Sequence, residues 1–167
     1  MSSLVFGVIV VICLSYLSET SAQCPAFMSK RFGGLKGGAF TDKSKANNGD
    51  ITAIRMECGT HLTAIQFRYG NVWGPKHGWG RSNCGIWWTR GKKVSYNLAP
   101  REYISGATIS YGDYVNSVRI KTNKRKLPKC GSSKGEKSKS VSGKRLKFVQ
   151  GRSGCIVDAI QFYWPTW

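Results

Sequence analysis

The residues best placed to do chemistry in this chain lie in one C-terminal run, Gly151-Arg-Ser-Gly-Cys-Ile-Val-Asp158. Gly151 and Gly154 allow backbone conformations closed to other residues, so a tight loop is expected there. Asp158 follows four residues after Gly154. Its carboxylate can accept hydrogen bonds from hydroxyl groups, and the loop offers main-chain N–H donors beside it. Donors and an acceptor in one small hollow suit a polyol such as a sugar. By residue type alone, Asp158 could instead be a carboxylate that caps its own loop. A second glycine-rich loop, Gly33-Gly-Leu-Lys-Gly-Gly-Ala-Phe40, could also bring main-chain amides close to a ligand. It lacks the Gly-Lys-Ser/Thr ending of a phosphate loop, and no helical pattern follows it.

The elements that must position these loops are strands. From Ile156 onward, apolar and polar residues nearly alternate, as a half-buried strand requires. The same pattern returns in Ile51-Thr-Ala-Ile-Arg-Met56, Leu62-Thr-Ala-Ile-Gln-Phe67, Val115-Asn-Ser-Val-Arg-Ile120 and Val157-Asp-Ala-Ile-Gln-Phe162. The spacing of these echoes is irregular, which argues for internal pseudo-symmetry and against a solenoid of fixed period. Further strands are expected over 93–98, 101–110 and 114–122, and again from Lys144 to Gln150. Ser132 to Gly143 reads as a loop, because it is poor in apolar residues. No stretch of a dozen residues carries a helical stripe. The fold class is therefore all-β.

The whole chain has 167 residues and a formal charge of +18. Residues 1–22 read as a signal peptide: Leu4 to Leu14 is apolar, and Thr20-Ser-Ala22 suits cleavage before Gln23. The apolar run is short for a membrane span, which needs about 20 residues. One secreted domain, 23–167, with no integral membrane segment, is expected. Removing the leader removes Glu19 and no Lys or Arg, so the remaining chain is one unit more basic. Thirteen of the basic residues fall in 119–152 against a single acid, Glu136. So unbalanced a stretch points to an anionic partner. A nucleic acid suits the charge but not the leader. Five cysteines remain (Cys24, Cys58, Cys84, Cys130 and Cys155), an odd number that leaves one free or joining two chains as a disulfide-linked dimer. No Cys-x-x-Cys pair occurs and only His61 and His77 are present, so no metal site and no cofactor are expected. Glycan cleavage usually needs two carboxylates across the scissile bond, and no pair stands out. An enzyme is not indicated. The rival from another class is a cationic, membrane-active antimicrobial protein without sugar recognition, but no amphipathic element for it is evident.

Gly-Gly-Ala-Phe-Thr-Asp (37–42), Asp-Ile-Thr-Ala-Ile-Arg (50–55), Ile-Gln-Phe-Arg-Tyr-Gly (65–70) and Gly-Arg-Ser-Gly-Cys-Ile-Val-Asp-Ala-Ile (151–160) resemble the jacalin-related lectins. Glu102-Tyr-Ile-Ser-Gly106 and Val118-Arg-Ile-Lys-Thr-Asn123 fit the same family. The likeness runs from about residue 30 to 164, and the leader and basicity resemble its animal secretory branch. It implies a β-prism: three Greek-key antiparallel sheets about a pseudo-threefold axis. It also implies metal-independent binding of a mannose-like sugar between Gly37 and Gly38 on one wall and Gly154, Cys155, Ile156 and Asp158 on the other. A third, recognition loop would fall near Lys124 to Cys130. Lys121, Lys124, Arg125, Lys126, Lys129 and Arg152 are the candidates for anionic polysaccharides, on a bacterial or extracellular-matrix surface. Cys130 and Cys155, on neighbouring loops, are the candidates for a bridge. Secretion, with storage in secretory granules, is the expected location.

Overall fold

The structure, a computed structural model, describes residues 26–79, 91–132 and 134–165. The leader, Cys24 and Cys84 lie outside those residues. Three short strands come first: β1 (Ala26–Met28), β2 (Phe32–Gly33) and β3 (Gly38–Thr41). A 3-10 turn, Lys45–Asn48, leads to β4 (Ile51–Cys58), β5 (Leu62–Tyr69), β6 (Val72–Trp73) and β7 (Lys92–Asn97). Then follow β8 (Ile104–Tyr111), β9 (Val115–Thr122), β10 (Cys130–Gly131) and β11 (Lys137–Ser142). The last pair is β12 (Phe148–Ser153) and β13 (Val157–Pro165).

They form three antiparallel sheets. The first runs β1-β13-β12-β3, with β2 also on β13; the second runs β6-β5-β4-β7; the third runs β10-β9-β8-β11. Each sheet is built on one long hairpin: β12/β13, β4/β5 or β8/β9. The first three strands and the last two share a sheet, so the two ends of the described chain close a three-sided β-prism.

The repeated sequence pattern has a structural cause. Its apolar positions are i, i+3 and i+5, which strict alternation would place on opposite faces. A register shift supplies the missing step. Val157 pairs with Ser153 while Ala159 pairs with Arg152, so the residue between them is extra. The same bulge occurs at 62–64, 115–117, 51–53 and 104–106. One added residue turns i and i+3 to the same side. As a result Leu62, Ile65 and Phe67, Val115, Val118 and Ile120, and Val157, Ile160 and Phe162 are all fully buried along the axis.

Three readings from the sequence are corrected. Lys137–Ser142 is an edge strand, not loop: it pairs along its length with β8, and almost every side chain on it is exposed. Main-chain hydrogen bonding holds it, and that leaves no hydrophobic pattern to read. The strand expected from Lys144 begins only at Phe148. Cys130 is bonded to Cys58, not to Cys155. That disulfide ties β4 of the second sheet to β10 of the third, across 72 residues. Cys155 is disulfide-bonded as well, with a different partner.

Candidate saccharide site

Asp158 is the extra residue of the bulge that opens β13. The bulge forces its side chain back toward the loop, where it lies 4% exposed. The corresponding residues of the other two hairpins are Thr63 and Asn116. Thr63 donates to the carbonyl of Glu57 at 2.8 Å, and Asn116 donates to the carbonyl of Lys134. Thr63 is thus satisfied inside the protein, and Asn116 bonds at the surface. Asp158 is different: its Oδ2 is buried and has no hydrogen-bond partner. A buried acceptor left unpaired is costly, of order 1–3 kcal/mol, and such atoms are rare without a reason. Burial pushes the carboxyl pKa up; the Gly154 N–H, the Arg152 charge, its own N–H and the Lys36 charge act against that rise.

The glycine-rich loop closes over this oxygen. Gly33 and Gly34 run against the main chain of residue 158, with the Gly34 N–H donating to the Asp158 carbonyl at 3.0 Å. Gly37 has φ of 71°, and a β-carbon there would stand 2.3 Å from Asp158 Oδ2. A β-carbon on Gly154 would meet the same oxygen at 3.6 Å and the Gly37 Cα at 3.7 Å. Gly38 pairs with Ser153 across β3 and β12. The opposite loop is tied by the Gly154 N–H to the Ile156 carbonyl, 3.0 Å. Ile156 is buried at 4%, so it offers the pocket only its main chain. The carbonyl of Cys155 accepts the N–H of Trp79 at 3.3 Å, which sets that exposed indole beside the loop.

Behind β3 a buried network holds the loop in place. Asp42 accepts from Tyr69 Oη at 2.9 Å and sits 2.8 Å from His77 Nε2. Phe40 stacks on the His77 ring, with centroids 3.6 Å apart. The sequence reading missed these three polar residues, which lie up to 35 positions apart and show no local pattern.

The candidate cations divide into two groups. Arg152 donates from Nη2 to the Gly37 carbonyl at 2.6 Å and from Nε to the Lys36 carbonyl at 3.0 Å, so it braces the pocket wall. Lys124 donates to the Pro100 carbonyl, and Arg125 is bound to Glu102 at 2.8 Å and to the Asn97 carbonyl. Lys121, Lys126 and Lys129 are exposed on the outside of the third sheet. The pocket is bordered in that sheet by the 112–114 tip: the Gly34 main chain packs on Asp113, and Lys36 Nζ donates to Tyr114 Oη at 3.3 Å. The turn at 123–126 is at the other end of β9, away from that tip. Lys36 is thus a cation at the pocket that the sequence reading did not single out. The aromatic Trp73 is engaged elsewhere, stacked on Arg55 at 3.9 Å.

Three closed sheets, with two glycine-rich loops at one end packed against a buried, unpaired carboxylate oxygen, make a β-prism. The comparisons with known proteins agree. The family model for the Jacalin-like lectin domain matches residues 29–163. The chain belongs to that family, whose members are carbohydrate-binding and not enzymes. Zymogen granule membrane protein 16 of Rattus norvegicus is 27% identical over 168 residues, covering 98% of this chain and 95% of that protein. The protein of the same name from Homo sapiens is 26% identical over the same span. Among solved structures, a mannose-specific jacalin-related lectin from Morus nigra in complex with mannose superposes with a TM-score of 0.68. It is 23% identical, and the match covers 87% of this chain and 98% of that one. Calsepa lectin in complex with a bisected glycan matches with a TM-score of 0.67 and 21% identity, covering 84% and 97%.

Proposed function

We propose that this protein is a secreted, cationic lectin that binds a neutral, mannose-like sugar without metal, and anionic glycans through its Lys/Arg-rich surface. The orphaned Oδ2 of Asp158 carries the first half. It is a buried acceptor with no partner, and the absence of side chains at Gly37 and Gly154 is what lets the two loops close up to it. A sugar hydroxyl would donate to it, and main-chain amides of residues 155 and 156 would donate in return, the Gly154 N–H being held by the Ile156 carbonyl. The mannose bound by the Morus nigra lectin supports the choice of sugar. Among the described residues no group of three or more His, Cys, Asp and Glu side chains could hold a metal ion.

One monosaccharide is held weakly. Hydrogen bonds contribute about 1 kcal/mol each, and association costs several. The balance is about −4 kcal/mol, or millimolar. Useful affinity then comes from charge and from repeated sites on a bacterial wall or a sulfated matrix. The granule name of the relatives supports storage in secretory granules before release. The odd cysteine of the processed chain supports a disulfide-linked dimer, which a non-reducing gel reads directly. Among the described residues no helix is long and apolar enough to cross a membrane.

The test is a glycan array at two salt concentrations, run with the native protein and with Asp158→Asn. Neutral-sugar binding is expected to ignore salt and to vanish in the variant. Binding to heparin-like chains is expected to fall steeply with salt and to survive the substitution. Loss of both together would contradict two separate components. Liposome leakage that no sugar competes with would favour the membrane-active alternative.

A further inference from the structure

The outer face of the third sheet carries a feature that the saccharide pocket does not use. Strands β8, β9 and β11 place their outward residues in register. Ser140 lies opposite Thr108, Thr108 opposite Arg119, and Gly106 opposite Lys121. Ser138 and Ser110 form the next rung, with Ser117 beyond. Thr108 Oγ1 and Ser140 Oγ share a hydrogen bond of 2.9 Å, which fixes their hydroxyls across the strands. Lys126 folds back beside Lys121 through a β-bridge. Two concavities of about 340 and 320 Å³ follow this face, and Thr108 and Arg119 line both. They therefore make one groove along the strands. Lys121 and Lys126 line one end, and Lys129 lines the other.

The chemistry of the groove is one-sided. Among the described residues no carboxylate and no aromatic side chain lines either concavity. Nor does any described acid pair with Arg119, Lys121, Lys126 or Lys129. Nucleobases would therefore find no stacking platform among them. Hydroxyls and cations alternate along it. Residues two apart on a strand are about 7 Å apart, so Arg119 and Lys121 present charges at a regular step. From rung 110 to rung 106 the groove is about 13 Å long. A rigid chain with acidic groups at intervals fits such a track; a lone ion or a flat bilayer does not.

We propose that this groove is a second glycan-binding site, which holds a sulfated polysaccharide in extended form along β8, β9 and β11. Sulfates lie on Arg119, Lys121, Lys126 and Lys129, and the Thr108 and Ser140 hydroxyls bond to sulfate or sugar oxygens between them. This refines the anionic half of the function proposed above by moving it from the whole basic surface to one face. It does not depend on the neutral-sugar pocket. The groove begins behind the 112–114 tip, at the pocket's end of the prism, so one long glycan can lead from pocket to track.

The experiment uses a heparin-derived octasaccharide. In the native protein, Lys121, Lys126 and Lys129 are acetylated with and without it. Protection of these three, with Lys43 and Lys45 unprotected, is the expected result. Uniform protection of all lysines, or protection by anionic vesicles alone, would overturn the proposal. The triple variant Arg119→Ala/Lys121→Ala/Lys126→Ala is expected to lose octasaccharide affinity at least tenfold. The charge-matched variant Lys30→Ala/Lys43→Ala/Lys45→Ala should lose less than threefold; equal losses would show a diffuse charge effect and sink the site. The neutral variant Thr108→Val/Ser140→Ala should weaken binding two- to fivefold, and no change there would remove the hydroxyls from the site. Binding of a neutral mannoside, read in parallel, reports on the pocket separately.

Discussion

Arg152 donates to the Gly37 carbonyl at 2.6 Å, joining β12 to the glycine-rich loop before β3. With its second bond to Lys36, the guanidinium clamps two consecutive carbonyls of the glycine-rich loop. A residue that looks like one more surface cation is thus a strut of the glycine-rich loop, and so of the proposed sugar site. Arg152→Ala is expected to weaken neutral-sugar binding three- to tenfold by loosening that wall, as titration calorimetry would read. Arg152→Lys should not restore it, because an ammonium cannot reproduce the planar fork. Full rescue by lysine would mean that charge alone matters there.

Gly37 is the residue least open to change. Its φ of 71° disfavours any side chain, and the space that a β-carbon needs is taken by Asp158 Oδ2 and the Ser153 main chain. Gly37→Ala should cost more than about 1 kcal/mol of stability and abolish sugar binding. Gly38→Ala is the control: its β-carbon would meet only the Ser153 carbonyl oxygen, at 3.8 Å, and the fold should tolerate it. Sugar binding that survives in Gly37→Ala would place the ligand elsewhere.

The raised pKa of Asp158 has a definite sign. Folding makes its carboxylate harder to ionise, so the folded state holds its proton to higher pH than the unfolded chain does. This group therefore lowers stability as pH rises through the ordinary aspartate range, and the penalty is complete above its folded pKa. Asp158→Asn should melt higher than the native protein at neutral pH, and the gap should close on acidification. Sugar binding should follow the opposite trend in the native protein, failing on acidification while the pH is still above the ordinary aspartate range. Lower melting of the variant at neutral pH would show that the ionised carboxylate supports the fold instead.

The Cys58–Cys130 disulfide closes a long loop between two sheets. On chain-entropy grounds its removal by Cys58→Ser/Cys130→Ser should cost about 4 kcal/mol. It is far from the loops that hold Asp158 in sequence and joins neither of them. Neutral-sugar affinity of the remaining folded protein should therefore be unchanged. Peptide mapping under non-reducing conditions should recover residues 58 and 130 together, and a 130–155 peptide would contradict the structure.

The strands were legible because half-buried strands record their burial locally. The i, i+3, i+5 spacing of Leu62, Ile65 and Phe67 appears in the sequence whether or not the bulge behind it is known. Asp158 was legible as a candidate through its glycines and through the family likeness. The edge strand Lys137–Ser142 was not, because main-chain pairing to β8 leaves no trace in residue type. Nor was the partner of Cys130, which depends on which loops meet in space.

By itself, then, the sequence determined an all-β chain of one family, its core residues, its excess of positive charge and the two loops that could face a sugar. Tertiary structure alone decided that Asp158 keeps a buried, unpaired oxygen while Thr63, its counterpart in β5, finds the Glu57 carbonyl. It also decided that Arg152 serves the pocket while Lys121, Lys126 and Lys129 line a groove on another face. The reason is physical. Core burial is a property of a residue and its near neighbours along the strand, whereas hydrogen-bond satisfaction and charge pairing depend on atoms that only folding brings within 3 to 4 Å.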